Sequence, residues 1–277
     1  MKIHLFSMLS LDENEYPDLN LYKHFIDYYK QLGIESNNFT IIPCGVSKYE
    51  NNFKEFQKIN TVNDIPNRNL ISKKYDIFEA HKILLKWQEI IDREDWVLSP
   101  DPDEFNKYGH FSNIIECATF LEKNNFYILQ GEFEDRIAED LVLHKVQYPE
   151  NLFNQFPKRT NITKHIIGAT SCKILLSKAK IELRIGHHDP VWNFKDNRPA
   201  FLNEVERNSD EYWKQTPTPA PNIYQTNFKA CHFKWVESLI YRLENPNKHK
   251  DLYSMFDEDR RKTNEIITGN KFNIIIH

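Results

Sequence analysis

The chain has 277 residues, of which 40% are hydrophobic and 13% aromatic, and its formal net charge at pH 7 is −4. This composition can supply the core of an enzyme-sized globular protein, either one α/β domain or a domain with a helical appendage. The slightly acidic balance lacks the basic character that indicates nucleic-acid binding. We therefore expect no nucleic-acid partner.

The sequence also indicates the cellular compartment of the protein. No apolar run reaches the roughly 18 residues of a membrane span, and Asp12 and Glu13 follow the first apolar stretch too soon for a secretory signal. The four cysteines are far apart and form no C-x-x-C pair, which favours reduced thiols over a disulfide scaffold. These features predict a cytoplasmic protein, with peripheral attachment to a membrane as the alternative.

The beginning of the chain follows a strand–helix–strand pattern. Residues 2–9 and 38–44 are apolar runs that predict buried strands. Between them, apolar residues from Leu21 to Leu32 recur at helical spacing, and Gly33 suits the end of a helix. This order predicts a parallel sheet with a right-handed crossover connection.

The next part is first polar and then strongly periodic. Residues 49–69 are rich in asparagine and predict a loop with some irregular helix. Residues 76–91 place their apolar side chains on one helical face and lead into a short apolar strand at 96–98. Further predicted elements are a helix at residues 113–121, strands at 126–129 and 174–176, and a helix at 236–243. Ligands of open α/β sheets bind beyond the carboxyl ends of the strands, so we expect the chemistry just after residue 98.

Two carboxylates follow that strand in the sequence W-V-L-S-P-D-P-D-E-F, which ends at Phe105. Asp101 and Asp103 are two residues apart, and Pro102 stiffens the backbone between them. The spacing can bring both carboxylates to one hard cation, such as Mg²⁺ or Mn²⁺, that keeps places for water and substrate phosphate. An isolated D-x-D is more often a surface turn, and the preceding strand is what favours a metal site here.

The pattern W-V-L-x-x-D-x-D-E-F resembles the metal-binding signature of nucleotide-sugar-dependent glycosyltransferases with the GT-A fold, in the branch around family two and family ninety-two. The initial strand–helix–strand and the segments 155–173 and 231–235 are also similar to that family. The resemblance implies a GT-A-like fold, a mostly parallel mixed sheet flanked by helices, over residues 1–245. Residues 246–277 would then form a C-terminal helical extension.

The resemblance also implies an activity and a set of site residues. The expected enzyme is a metal-dependent, hexosyltransferase-type glycosyltransferase that moves a sugar from a nucleotide-diphosphate donor to a glycan or other hydroxyl acceptor, lipid-linked acceptors included. Asp101, Asp103 and His232 would hold Mn²⁺ or Mg²⁺. The residues that the resemblance assigns to donor or substrate binding are Glu104, His188, Lys173 and Lys234.

A second group of charged residues, from Glu132 to Arg136, follows the predicted strand at 126–129. An inverting transfer needs a base that takes the proton of the acceptor hydroxyl. We predict Asp135 as that base or as an acceptor-binding residue. Arg136 would be its catalytic partner, holding either Asp135 or a phosphate through two hydrogen bonds. The competing interpretation is a salt-bridged surface.

Two other classes of function stay open. A metal-dependent hydrolase could use Asp101 and Asp103 with His187 and His188, although no H-E-x-x-H motif is present. The chain could also be an inactive, carbohydrate-binding relative of the transferases. Nucleotide binding distinguishes a transferase from a hydrolase, and measured turnover distinguishes it from an inactive relative, because a fold alone does not determine activity.

Overall fold

A computed structural model describes residues 1–12, 17–45, 50–66, 76–162, 172–207, 209–217 and 220–239. The strands are β1 (Ile3–Ser10), β2 (Phe39–Cys44), β3 (Trp96–Leu98), β4 (Glu104–Lys107), β5 (Ile128–Ile137), β6 (Lys158–Thr160), β7 (Cys172–Lys178), β8 (Trp192–Asn193), β9 (Arg198–Pro199) and β10 (Ile223–His232). The helices are α1 (Leu19–Gln31), α2 (Asn51–Val62), α3 (Ile77–Ile90), α4 (Ile114–Lys123), α5 (Leu152–Gln155) and α6 (Asp210–Trp213). The predicted extension at 246–277 lies outside the described residues.

A mixed sheet of eight strands forms the centre, in the order β2-β1-β3-β7-β5-β10-β4, with β6 paired to β5. Strands β2, β1 and β3 run parallel to one another, and β5 runs parallel to β10. Strands β7, β4 and β6 pair antiparallel with their neighbours. The expected mixed α/β architecture, with a parallel unit and flanking helices as in a GT-A-like fold, is confirmed.

Helices cover both faces of the parallel unit. Successive side chains of a strand point to opposite faces, so Leu5 of β1 joins the core cluster that contains Phe25 of α1. Phe6 and Met8 instead join the cluster that contains Leu84 of α3. The uninterrupted apolar run in β1 follows from this burial on both faces.

Side-chain caps determine where three of the helices begin. Asp18, Asp76 and Asn113 each accept a hydrogen bond from a backbone N–H in the first turn of α1, α3 and α4, respectively. Gly33 follows α1 with a φ of +100°, a conformation that glycine adopts without strain. The predicted boundaries of these helices agree with the structure to within about two residues.

Helix α2 corrects the prediction of a largely irregular loop at residues 49–69. Phe53 and Phe56 of α2 are buried at a helical spacing of three residues. Asn60 is buried as well, and its side-chain oxygen accepts a hydrogen bond of 2.7 Å from the Tyr22 hydroxyl. The asparagine-rich composition predicted a loop, whereas Asn60 is in fact packed inside the protein with a hydrogen-bond partner.

Strand β5 also extends well beyond its predicted end at residue 129. The charged sequence G-E-F-E-D-R lies within the strand, so Asp135 is part of β5 and does not follow it. Side chains of Glu134 and Asp135 therefore lie on opposite faces of the sheet. Strand β10, which the sequence pattern did not predict, pairs with β5 and places His232 beside Asp135.

A small unit between β7 and β10 contains the β8–β9 hairpin and α6. Val191, Ala200 and Tyr212 belong to its core. Glu182 is fully buried there, and its carboxylate lies 2.7 Å from Nε of Arg207. None of the described helices has both the length and the apolar character needed to cross a membrane.

Candidate functional site

The two predicted carboxylates lie at the carboxyl end of β3, where the sheet arrangement leads us to expect a ligand. Two hydrogen bonds close the turn: the Asp101 N–H donates to Oε2 of Glu104 at 3.0 Å, and the Glu104 N–H donates to the Asp101 carbonyl at 2.9 Å. The Asp101 side chain is 58% exposed, whereas that of Asp103 is 23% exposed. Asp101 thus presents its carboxylate to solvent at the rim of the site.

A buried ion pair supports this turn from beneath. Nζ of Lys173, at the start of β7, lies 2.9 Å from Oε1 of Glu104 and 3.9 Å from Oδ2 of Asp101. Burial raises the pKa of Glu104, and the Lys173 ammonium opposes that rise. Burial lowers the pKa of Lys173, but Glu104, Asp101 and Asp103 more than offset it and raise the pKa overall. The structure therefore brings together Glu104 and Lys173, two predicted donor-binding residues, as an ion pair next to Asp101.

His232 links the carboxylate turn to the other half of the sheet. Its Nε2 lies 3.6 Å from Oδ2 of Asp103, and its Nδ1 lies 3.0 Å from Oδ1 of Asp135. Trp235 Nε1 donates to the same Asp135 oxygen at 3.1 Å, and the Phe233 N–H donates to the Asp103 carbonyl at 2.8 Å. Burial opposes charging the imidazole, yet Asp103 and Asp135 together raise the pKa of His232 to about 10.

Arg136 lies on the opposite face of the sheet from this cluster. Its Nη1 is 3.0 Å from Oε1 of Glu134, and its Nε donates to the Phe156 carbonyl at 3.1 Å. The expected pairing between Arg136 and Asp135 is not formed, because neighbouring residues of a strand point in opposite directions. Asp135 is held by His232 and Trp235 instead, two partners that the local sequence did not reveal.

The adjacent histidines after β7 contact different backbone carbonyls. His187 Nδ1 lies 3.2 Å from the Ser99 carbonyl, and His188 Nδ1 lies 2.6 Å from the Cys172 carbonyl. Burial lowers the pKa of both histidines, and the nearby Lys173 ammonium lowers it further. A carbonyl only accepts hydrogen bonds, so each neutral ring carries its proton on Nδ1 and keeps a lone pair on Nε2.

In the part of the chain that the structure describes, no group of three or more His, Cys, Asp or Glu side chains is arranged to hold a metal ion. Of the three predicted ligands, Asp103 and His232 lie close together, and Asp101 lies beside Lys173. His187 and His188 do not complete a hydrolase-type metal set with the carboxylates. Lys234 is half-buried just beyond the end of β10.

A small open cleft lies between β1, α3 and the carboxylate turn. Its lining includes Asp101, Lys173 and His187 and also His81 of α3, which the sequence analysis did not select. His81 is 7% exposed. The signal in the sequence was a polar residue on the otherwise apolar face of a periodic helix.

Comparisons with known proteins give structural similarities alone, since neither a family model nor a curated protein matches the chain. Similar solved structures include S. aureus TarS (13% identity, 85% of this chain, 36% of that one, TM-score 0.37). Apo UDP-glucose pyrophosphorylase has 12% identity, with 90% of this chain and 99% of that one covered, at a TM-score of 0.37. Mouse xyloside xylosyltransferase 1 has 12% identity, with 65% and 67% covered, at a TM-score of 0.25.

This chain thus spans about a third of the TarS chain. TM-scores below 0.5 establish neither a family nor a function for this chain. The fold and the site define a GT-A-like α/β protein in which one carboxylate, a buried lysine and two histidines line an open cleft.

Proposed function

We propose that this protein is a glycosyltransferase that transfers a sugar from a nucleotide-diphosphate donor to a hydroxyl acceptor. The observation that carries the proposal is the position of Asp101 and Asp103 just beyond the carboxyl end of a strand, where Asp101 also lines a small open cleft. A carboxylate pair at such a strand end suits a cation that binds diphosphate oxygens. The acceptor class, a glycan or a lipid-linked molecule, belongs to the same proposal.

The side chains present suit Mn²⁺ or Mg²⁺. Such a cation is commonly bound by one or two carboxylates and takes further ligands from substrate phosphates, so a set smaller than three protein ligands is adequate. Asp101 and Asp103 would supply the carboxylate oxygens. Nε2 of His232 would add a nitrogen ligand, which Mn²⁺ tolerates better than Mg²⁺, only after losing the proton that Asp103 and Asp135 stabilise. When bound, the cation would offset the negative charge that develops on the departing diphosphate.

The residues of the chain have distinct proposed tasks around that cation. Lys173 adds a positive charge behind Asp101, which favours a diphosphate at the rim of the cleft. Glu104 holds Lys173 and the Asp101 backbone in place. His188 keeps a lone pair on Nε2 near the same residues, where it can accept a hydrogen bond from a hydroxyl of the donor.

Asp135 has a different proposed task from that of an exposed base. It is 1% exposed, and its Oδ1 accepts hydrogen bonds from both His232 and Trp235. An acceptor hydroxyl has no direct access to a carboxylate buried in this way. We therefore propose that Asp135 orients His232, as carboxylates commonly orient metal-binding histidines, and that it acts through that ring.

Nucleotide binding tests the proposal. A panel of nucleoside diphosphates and their sugar conjugates would be titrated calorimetrically, with and without Mn²⁺, into the protein and into Asp103→Asn. We expect binding of at least one nucleotide that requires Mn²⁺ and that falls by about 100-fold or more in Asp103→Asn, a loss of roughly 2.7 kcal/mol. Transfer of the sugar, or slow hydrolysis of the donor, should follow with the nucleotide that binds.

Asp140→Asn is the matched control, because Asp140 is an exposed aspartate with a histidine partner, His144, and is not among the residues that line the cleft. It should bind the nucleotide as the original protein does. Absence of nucleotide binding across the whole panel would refute a nucleotide-sugar transferase. Binding without any turnover would instead favour an inactive carbohydrate-binding relative.

A further inference from the structure

His81 is a buried polar side chain that has no hydrogen-bond partner among the residues that the structure describes. It lies in the second turn of α3, and neither Nδ1 nor Nε2 makes a hydrogen bond to any of those residues. Buried polar groups in native proteins are nearly always satisfied, because leaving one unpaired costs free energy. When such an unpaired side chain lines a cleft, we infer that a bound ligand makes its missing hydrogen bonds.

The surroundings of His81 show where that ligand would lie. The ring centroid of His81 is 6.2 Å from that of His187, and both residues line the cleft with Asp101. Phe6 and Met8 of β1 provide apolar lining. The cleft is therefore continuous with the carboxylate turn on one side and bordered by apolar side chains on another.

The polar groups of the cleft are mainly hydrogen-bond acceptors. The Ser7 hydroxyl donates to the Pro100 carbonyl at 2.8 Å, which leaves the oxygen lone pairs of Ser7 for another donor. His187 presents the lone pair of its Nε2, and Asp101 presents a carboxylate. Burial lowers the pKa of His81 to about 4, so its neutral ring adds one acceptor and one donor at pH 7.

A ring that bears neighbouring hydroxyl groups matches this set, because each hydroxyl donates one hydrogen bond and accepts others while the ring carbons contact apolar side chains. Two rings of a nucleotide-sugar have this chemistry, the ribose and the transferred sugar. The cleft lies beside β1 and α3, just beyond the carboxyl end of β3, and nucleotides bind at such strand ends in open α/β sheets. The ribose is thus the better match.

We propose that His81 is a specificity-determining residue that, together with His187, binds the ribose hydroxyls of the donor nucleotide. This assignment rests on the proposed function, since it places one part of the same donor. It predicts that the protein distinguishes ribonucleotides from deoxyribonucleotides. It also predicts that the hydrogen-bonding deficit of His81 disappears when the nucleotide binds.

His81→Phe provides the main test, because phenylalanine keeps an aromatic ring but removes both ring nitrogens. With the nucleoside diphosphate that binds best, calorimetry should show an affinity about tenfold or more lower in His81→Phe, while the melting temperature stays equal or rises. Removing the 2′-hydroxyl from the nucleotide should weaken binding to the original protein but change little further in His81→Phe, since both changes remove the same interaction. His81→Asn, which retains a donor and an acceptor, should recover part of the affinity.

His110→Phe is the control, because His110 is exposed and is not among the residues lining the cleft. It should bind ribonucleotides and deoxyribonucleotides with unchanged affinities. The nucleoside diphosphate alone and its sugar conjugate are compared as well. A loss in His81→Phe that appears with the conjugate but not with the diphosphate would overturn the ribose assignment in favour of the transferred sugar.

Two further outcomes separate this inference from the proposed function. If the original protein and His81→Phe bind ribonucleotides equally, the inference is wrong and the transferase proposal stands. If the original protein binds no nucleotide under any condition, both are wrong. A lower melting temperature with intact nucleotide binding would make His81 a packing residue and would also overturn the inference.

Discussion

The two halves of the central sheet differ in whether their buried titratable side chains are paired within the protein. On the side of β5 and β10, buried charges are paired within the protein, as Asp135 with His232 and Glu134 with Arg136. On the side of β1 and α3, His81 is buried next to an open cleft and has no hydrogen-bond partner within the described part of the chain. The comparison indicates that the buried charges beside β5 and β10 are satisfied within the protein, whereas His81 beside the cleft requires a ligand to make its hydrogen bonds.

The largest expected effect comes from breaking the charge pair that supports the carboxylate turn. Lys173→Met would leave Glu104 buried without its cation, and such a loss typically costs about 3–5 kcal/mol of unfolding free energy. Lys229→Met is the control, because that lysine pairs with Glu132 near the surface, where a pair contributes about 1 kcal/mol or less. Urea denaturation of both variants measures the difference.

A second variant shows whether the lost charge is the cause. Lys173→Met combined with Glu104→Gln removes the unpaired carboxylate and should recover part of the stability. If Lys173→Met is no less stable than Lys229→Met, the pair does not support the turn, and the contrast between the two halves weakens.

The next effect concerns Asp135. Loss of a carboxylate that orients a metal-binding histidine typically weakens metal binding by about 10–100-fold, so Asp135→Asn should weaken Mn²⁺-dependent nucleotide binding on that scale. Turnover at saturating donor should fall much less than the ~10²–10⁴ expected on removing a general base. Calorimetry and initial-rate kinetics separate the two quantities.

Glu134→Gln is the control for Asp135→Asn, because it neutralises the neighbouring carboxylate on the opposite face of β5. Nucleotide affinity should be unchanged in it. A large fall in turnover with unchanged affinity in Asp135→Asn would restore the role in the chemical step that the sequence predicts for Asp135.

A smaller effect should appear in the pH dependence of stability. Burial lowers the pKa of His81 from 6.5 to about 4, with a contribution from Arg207, so the unfolded chain binds this proton more readily than the folded protein does. The original protein should therefore lose stability relative to His81→Phe as the pH falls from about 6.5 to about 4. Denaturation curves at a series of pH values check this, and parallel pH profiles for the two proteins would contradict it.

The smallest effect compares two helix caps. Asp76→Ala and Asn113→Ala each remove a side chain that caps a helix, α3 or α4, and each should cost about 1 kcal/mol. Nucleotide affinity should fall severalfold in Asp76→Ala alone, because α3 carries His81 and the α4 cap is not among the groups lining the cleft. Equal affinities in both variants would mean that the first turn of α3 does not influence the cleft.

Local patterns in the sequence were sufficient for the parallel half of the fold. The strand–helix–strand at the beginning and the helix before Asp101 were predicted with nearly correct boundaries, because apolar spacing within a short window determines them. Helix α2 was not recognised because asparagines dilute its apolar face. The predicted strand ended too early, at residue 129, because the second half of β5 carries the charged residues of G-E-F-E-D-R.

The arrangement of the site depends on distant pairings that local patterns do not contain. Asp135 and His232 are 97 residues apart in sequence and meet because β5 and β10 are parallel neighbours. Asp103 and Glu104 were selected correctly as members of the carboxylate turn, but the pairing of Glu104 with Lys173 follows from the sheet order. The metal-binding roles of Asp101, Asp103 and His232 stay predictions until binding is measured.

The hydrogen bond from the Phe233 N–H to the Asp103 carbonyl has a consequence for biosynthesis. Residues at the end of β10 complete the carboxylate turn, so a ribosome must synthesise well over two hundred residues before the turn has all of its described contacts. The parallel half can form much earlier, since folding during synthesis generally proceeds from the amino terminus and local contacts form fastest. Until β10 emerges, Asp103 and Asp135 lack His232, and the edge of β5 that pairs with β10 is exposed to pairing with other chains.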